Sequence, residues 1–173
     1  MNRFAVAVMG LDRPGIVAQV TAGLLRLGGN VEDVSTSILR GHFALMLIVT
    51  VPAAISKEGL DDALGVLRQH GLALAVWEVS GGLESTRPTH VLSAYGPDRT
   101  GIVHDVSTVL AEAGANVCDM SCRLHEGAPP VYVVTAEVAL PAPGEAAELE
   151  AVVSRLKAKG LDVSLNAIEE STL

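Results

Sequence analysis

Two spacings of apolar residues alternate along the chain. Phe4 to Met9 is a short apolar run stopped by Gly10, which predicts a strand. Ile16, Val20, Leu24 and Leu27 then recur at the three-to-four-residue spacing of one buried helix face, until Gly28 offers a left-handed cap. Pro14 sits where a first helical turn tolerates a missing N–H, so the helix is expected to start at Asp12 or Arg13. Val31 to Leu39 and Phe43 to Val51 surround the turn-like Arg40-Gly41-His42 and predict an antiparallel hairpin. Ser56 suits the cap of a second helix carrying Leu60, Leu64 and Leu67 and closed by Gly71, and a last strand is expected over Leu72 to Val79.

The same order then recurs. Gly10-Leu11-Asp12-Arg13-Pro14-Gly15-Ile16-Val17 aligns with Gly96-Pro97-Asp98-Arg99-Thr100-Gly101-Ile102-Val103, identical at six of eight positions. Without a gap the match continues through Val20/Val106, Leu24/Leu110, Gly28/Gly114, Asn30/Asn116, Val31/Val117 and Asp33/Asp119. A short insertion, Ala128-Pro129-Pro130, then shifts the frame. The second copy repeats the later helix with Leu149, Val152, Val153 and Leu156, closes it at Gly160, and ends on a strand over Leu161 to Ile168. Ser80 to Pro88 has linker composition, so the expected organisation is a module over 1–80, a linker over 81–88 and a module over 89–170.

A βαββαβ unit of this size folds as a four-stranded antiparallel sheet with two helices on one face, so the predicted class is α+β with two ferredoxin-like modules. Phe43 to Val51 is apolar at both parities, yet helices cover only one face of a sheet. The other face needs a covering surface from a second module or a second chain, and a homodimer is expected.

Composition narrows the function. Hydrophobic residues make up 49% and charged residues 18%, which is core-forming composition rather than that of a disordered chain. A formal charge of −8 and 3% aromatic content argue against direct binding of nucleic acid, which calls for clustered cations and stacking rings. The longest apolar run is about half of what a bilayer-spanning helix needs, so no membrane segment is expected. Met1-Asn2-Arg3 before an apolar run imitates a secretion signal, but Asp12-Arg13 follows at once without a small-residue cleavage site. Cys118 and Cys122, placed on one strand, sit too far apart for a disulfide, and a reducing cytoplasm is the expected compartment.

The paired signature Asp-Arg-Pro-Gly-Ile-Val, followed some 15 residues later by Gly-Gly-Asn-Val, resembles the ACT domain, a regulatory amino-acid-binding module. Both halves carry it, with Thr100 in place of the proline and Ala115 in place of the second glycine of Gly-Gly-Asn-Val in the second. A pair of such modules resembles the glycine cleavage system transcriptional repressor family. That resemblance implies a small amino acid such as glycine or serine as ligand, and a protein partner such as a transcription regulator or an enzyme. A regulatory subunit of an amino-acid biosynthetic enzyme is the alternative it leaves.

The loop itself has a use on physical grounds. Where a strand turns into a helix, the first N–H groups are unpaired and carry the positive end of the helix dipole, which suits a carboxylate. Gly15 and Gly101 keep the approach open, and Asp12 or Asp98 is placed to take an α-ammonium. An aspartate there is equally an N-cap and a glycine equally a turn residue. Asn30 and Asn116 fit turn chemistry after a helix cap, while the family resemblance makes them ligand contacts for a loop of a partner module. The candidate site residues are thus Asp12, Arg13, Pro14, Gly15, Ile16 and Asn30, with Asp98, Arg99, Gly101, Ile102 and Asn116. Loop and asparagine of one module should lie at opposite ends of it, so if two modules pack side by side Asp12, Arg13 and Gly15 are expected to share a site with Asn116, and Asp98, Arg99 and Gly101 with Asn30, or to make the same pairing between chains. His104 and Asp105 read as surface residues, because adjacent helix positions point apart and the first copy has Ala18 and Gln19 there. Cys118 and Cys122 read as core residues, with His125 at opposite parity, rather than as metal ligands. No catalytic residue, metal or cofactor is expected, since no nucleophile elbow, phosphate loop, dinucleotide fingerprint or zinc-protease motif occurs.

Overall fold

The computed structural model, which describes residues 1–80, 86–141 and 146–168, divides into two units, Met1–Leu83 and Glu84–Leu173. The first runs β1 (Asn2–Leu11), α1 (Ile16–Arg26), β2 (Asn30–Leu39), β3 (His42–Val51), α2 (Lys57–Leu64), α3 (Val66–Gln69) and β4 (Ala73–Glu78). The second runs β5 (His90–Pro97), α4 (Ile102–Glu112), β6 (Asn116–His125), β7 (Val131–Ala139), α5 (Ala146–Ala158) and β8 (Asp162–Ala167). Each forms an antiparallel four-stranded sheet, in the order β2-β3-β1-β4 and β6-β7-β5-β8. Both units are therefore ferredoxin-like, as the repeated pattern predicts. Residues 81–85 of the expected linker, and 142–145, 169 and 170 of the expected second module, lie outside the described residues.

Period-two alternation decides which face is the core. Phe4, Val6 and Val8 of β1 and Leu45, Leu47 and Val49 of β3 are buried against Ile16, Val20 and Leu24 of α1 and Leu60 and Leu64 of α2. In the second unit Leu92 and Ala94 meet Val106 and Leu110 of α4 and Val152 and Leu156 of α5. Each such Leu or Val is worth about 1.5–3 kcal/mol on leaving water, so these stripes dominate the stability of each unit. Helices lie on one face only of each sheet.

The opposite faces differ between the units. In the first, Ala5, Ala7 and Met9 of β1 stand opposite Ile48, Met46 and Ala44 of β3 and opposite Trp77, Ala75 and Ala73 of β4. In the second, Val91, Ser93 and Tyr95 of β5 stand opposite Glu137, Thr135 and Val133 of β7 and Asn166, Ser164 and Asp162 of β8. The Tyr95 hydroxyl donates to Asp162 at 2.7 Å. Across β1, β3 and β4 the helix-free face of the first unit is apolar, while β2 sets Asp33, Ser35 and Ser37 at its edge, and the corresponding face of the second unit is polar.

Four local expectations are corrected. The helix begins at Ile16, not at Asp12 or Arg13, because Gly15 in front of it is left-handed at φ 90° and cannot belong to a right-handed turn. The single second helix of the first unit is two, α2 and α3, meeting at Gly65. The last strand of the first unit starts at Ala73, with Leu72 buried just before it. The two cysteines are not both core residues: Cys118 is exposed and Cys122 half-buried. The register between β6 and β7 shifts between Val117 and Asp119, so Cys118 is the extra residue of a bulge and leaves the alternation that Met120 and Cys122 keep. The first unit has the same shift between Val31 and Asp33, where Glu32 takes the extra position and pairs with Arg3 at 2.7 Å.

The expected hairpin at Arg40-Gly41 is a two-residue turn, with φ 48° and 79° at its two residues. Both values are left-handed, the geometry whose twist matches the strands it joins.

Candidate functional site

Each unit builds the same loop between its first strand and first helix. Gly15 and Gly101 precede the helices at φ 90° and 91°, and no side chain caps either helix. The first backward hydrogen bonds run from Gln19 N–H to the Gly15 carbonyl at 3.0 Å and from Asp105 N–H to the Gly101 carbonyl at 2.9 Å. The N–H groups of Ile16 to Ala18 and of Ile102 to His104 therefore have no partner inside their helices. Nothing lies within 4 Å of a Cβ built on Gly15, so the glycine is needed for its backbone angle rather than for clearance.

The candidate residues take distinct positions on this frame. Ile16 and Ile102 are buried and anchor the helix ends to the cores. Asp12 and Asp98 are exposed, and their N–H groups donate to the Gly41 carbonyl at 2.9 Å and the Pro130 carbonyl at 3.3 Å. Among the described residues neither carboxylate has a hydrogen bond or an ion pair, so neither acts as the helix cap and both face solvent beside the unpaired N–H groups. Pro14 is exposed in the turn ahead of Gly15.

Arg13 and Arg99 lie back along their helices. Arg13 donates to Gln19 Oε1 at 2.9 Å. Arg99 donates to Asp105 Oδ2 at 2.7 Å and to the Lys159 carbonyl at 3.0 Å, while Lys159 Nζ reaches Asp105 Oδ1 at 2.7 Å. Hydrogen bonds from Lys159 and then Arg99 hold the Asp105 carboxyl below the usual carboxylate range. The first loop thus keeps a positive charge next to a neutral amide. The second places its cation in a cluster fastened to the segment after α5.

A cavity of about 170 Å³ adjoins the second loop, lined by Arg99, Gly101, Ile102, Val103, His104 and Tyr132. Burial, then a hydrogen bond with Cys122, pushes the Tyr132 hydroxyl above its ordinary value. Sequence reasoning missed Tyr132 and Lys159, which come from other strands and turns and reach the loop only in the folded unit. Tyr132 stands opposite Gly96 as Phe43 stands opposite Gly10, so the first unit presents no hydroxyl there. His104 is exposed, as expected, but it also borders this cavity.

Asn30 and Asn116 are exposed first residues of β2 and β6. Asn30 pairs with Thr50, Thr50 pairs with Arg3, and Arg3 lies eight residues before Leu11 at the start of the loop. Eight residues of strand span about 27 Å, so loop and asparagine of one unit are held apart at opposite ends of the sheet. Asn30 instead borders a separate groove of about 460 Å³ with Ala18, Ala22 and Leu25 of α1. Among the described residues no group of three or more His, Cys, Asp or Glu is placed to hold a metal ion. No described helix is long and apolar enough to cross a membrane.

Known proteins bear on this geometry. The ACT domain family model matches residues 2–76, the first unit. A UPF0237 protein from Methanopyrus kandleri is 39% identical over 69 residues, covering 40% of this chain and 70% of that protein. Another from Bifidobacterium longum is 41% identical over 74 residues, covering 38% of this chain and 82% of that one. Among solved structures, an unknown protein from Galdieria sulphuraria superposes with a TM-score of 0.81 at 29% identity, over 97% of this chain and 99% of its own. A protein provisionally identified as a glycine cleavage system transcriptional repressor shares the fold with a TM-score of 0.76 at 19% identity, over 98% of both chains. Loop, sheet order and matched segment agree, and the chain belongs to the ACT domain family, carrying two units of that fold.

Proposed function

We propose that this protein is a non-catalytic regulator that senses a small amino acid through its two ACT units and passes the signal to a protein partner, in the manner of a glycine cleavage repressor. The observation that carries this reading is the loop made twice over. In each copy a left-handed glycine leaves the first helical N–H groups unpaired beside an aspartate with no partner among the described residues. The N–H groups suit an α-carboxylate and Asp12 or Asp98 an α-ammonium, so one loop addresses both charges of a zwitterion.

Asn30 and Asn116 lie at the far ends of their own sheets, so a ligand held by either loop takes any asparagine contact from outside that loop's own unit. Arg13, Pro14 and Ile16 shape the first loop, and Arg99 and Ile102 the second. Binding then couples to unit packing, which is how a site without chemistry of its own alters affinity for a partner.

Melting-temperature shifts against the full set of protein amino acids test this directly, since a ligand that binds only the folded state raises the melting temperature with its concentration. Glycine or serine is expected to give the shift, and Asp12→Ala or Asn116→Ala to reduce it without lowering the melting temperature of the unliganded protein. A chain that no amino acid stabilises refutes the sensor. A chain that purifies in a fixed complex with a biosynthetic enzyme is instead a regulatory subunit.

A further inference from the structure

We propose that Tyr132 is a ligand contact of the second unit, and that its hydroxyl makes the site there select an amino acid with a hydroxyl side chain, whereas the first unit takes one without. This selectivity rests on the loops holding an amino acid, the reading proposed above, and names what each of them distinguishes.

The two units fill the same place with different residues. Phe43 on β3 and Tyr132 on β7 each stand opposite a glycine at the end of the first strand, Gly10 and Gly96. Phe43 is 7% exposed and belongs to the core of its unit, so a bare aromatic ring is enough to pack beneath the loop. Tyr132 packs half-buried against the second core and adds a hydroxyl that this packing does not call for. A hydroxyl drawn out of water costs stability unless it is well partnered. Among the described residues its hydrogen-bond partner is the Cys122 thiol, a weak one.

The position of that hydroxyl gives it a use. Tyr132 lines the cavity of about 170 Å³ together with Gly101, Ile102 and Val103, the turn whose first N–H groups have no partner inside the helix. The Asp98 carboxylate is near enough for its charge to act on the Tyr132 hydroxyl. The groups suited to an α-carboxylate, to an α-ammonium and to a third polar atom therefore border one small space.

Size and the remaining polar groups decide the ligand. The cavity is smaller than the about 300 Å³ at which ordinary ligand pockets begin, so it suits a molecule of few heavy atoms. With its carboxylate on the N–H groups and its ammonium at Asp98, a small amino acid has only its side chain left to meet Tyr132. A side-chain hydroxyl can both donate to and accept from the tyrosine, whereas a methyl group leaves the tyrosine with the thiol alone. Arg99 is already committed to Asp105 and the Lys159 carbonyl, and the exposed His104 has water.

Serine and alanine differ by this hydroxyl and are the probes. Calorimetry on the Asp12→Ala chain, where the second loop alone is expected to bind, should show serine about two- to tenfold tighter than alanine, the worth of one neutral hydrogen bond. Tyr132→Phe in that chain should bring serine down to the level of alanine. Phe43→Tyr in the Asp98→Ala chain should give the first loop a preference for serine that it otherwise lacks, and this variant carries the test if Tyr132→Phe does not fold. A hydroxyl that serves only Cys122 would leave the serine-to-alanine ratio the same in Tyr132→Phe. That result, equal affinities in the Asp12→Ala chain, or no gain in Phe43→Tyr overturns the proposal while leaving the sensor intact. A full chain that binds no amino acid overturns both.

Discussion

Arg99 and Asp105 are joined at 2.7 Å, whereas at the same two positions of the first unit Arg13 meets the uncharged Gln19. The duplicated loop has thus kept its shape while its electrostatics have diverged. Asp105 also holds Lys159, so the second loop is fastened to the turn after α5 and the first is not.

This pair makes the second unit acid-sensitive. The folded Asp105 carboxyl titrates below its unfolded value, so its contribution is present above the ordinary carboxylate range and is lost as pH falls through the lowered value. Asp105→Asn should lower the melting temperature at neutral pH and flatten its decline below about pH 4. Thermal melts of both proteins across that range would show it, and parallel declines would assign the titration elsewhere.

Gly15→Ala and Gly101→Ala should each cost about 1–2 kcal/mol, because an L-residue is placed at a left-handed φ without any steric clash to relieve. Asn at either position should cost less, since it tolerates that region better. Gly10→Ala acts by another route: its Cβ would stand 2.6 Å from Leu72 Cδ2 and 3.1 Å from the Gly71 carbonyl, forcing the entry to β4 aside. Chemical denaturation of the variants separates the cases, since Asn should rescue at position 15 and not at position 10.

Arg40 is the one residue other than glycine with positive φ among those described. Arg40→Gly or Arg40→Asn should stabilise the protein by a few tenths to about 1 kcal/mol, as either residue relieves the left-handed strain of the hairpin. A urea midpoint that falls instead would mean that the arginine side chain makes a compensating contact.

Leu47 lies at the centre of β3, 1% exposed, and Leu47→Ala should cost about 2–5 kcal/mol through lost burial and the cavity left behind. Ser56→Ala should cost about 1 kcal/mol, because the Ser56 hydroxyl accepts from Gly59 N–H at 3.2 Å at the start of α2. Denaturant midpoints measure both, and an equal loss at the two positions would contradict the burial pattern.

The repeat, the strand order and the helix stripes were legible because they rest on periodicity, which burial enforces residue by residue. Val20, Leu24, Val106 and Leu110 announce their helices without any tertiary information. The helix start was not legible, since Asp12, Arg13 and Pro14 all suit a first turn and only the φ of Gly15 excludes them. Nor were the bulges at Glu32 and Cys118, because one inserted residue reverses the parity from which burial is read. The loop residues could be named from sequence, but not the Asp105 and Lys159 that fix Arg99, nor Tyr132 beside it. Lys159 and Tyr132 reach Arg99 only through the fold, across separations of 60 and 33 residues that no local pattern encodes, and Asp105, six residues on, is drawn to Arg99 by the turn that Gly101 makes.

The position of β1 inside its sheet, bonded to β3 on one side and β4 on the other, sets an order for synthesis. The strand made first waits for both neighbours, and the second of them, Ala73–Glu78, leaves the ribosome only when the first unit is nearly complete. Until then Phe4, Val6 and Val8 belong to a strand with an open edge, the arrangement most prone to pairing with another nascent chain. A truncation just before Ala73 should therefore yield an aggregating fragment rather than a smaller domain, and the whole βαββαβ unit is the smallest length of this chain that can be added or removed cleanly.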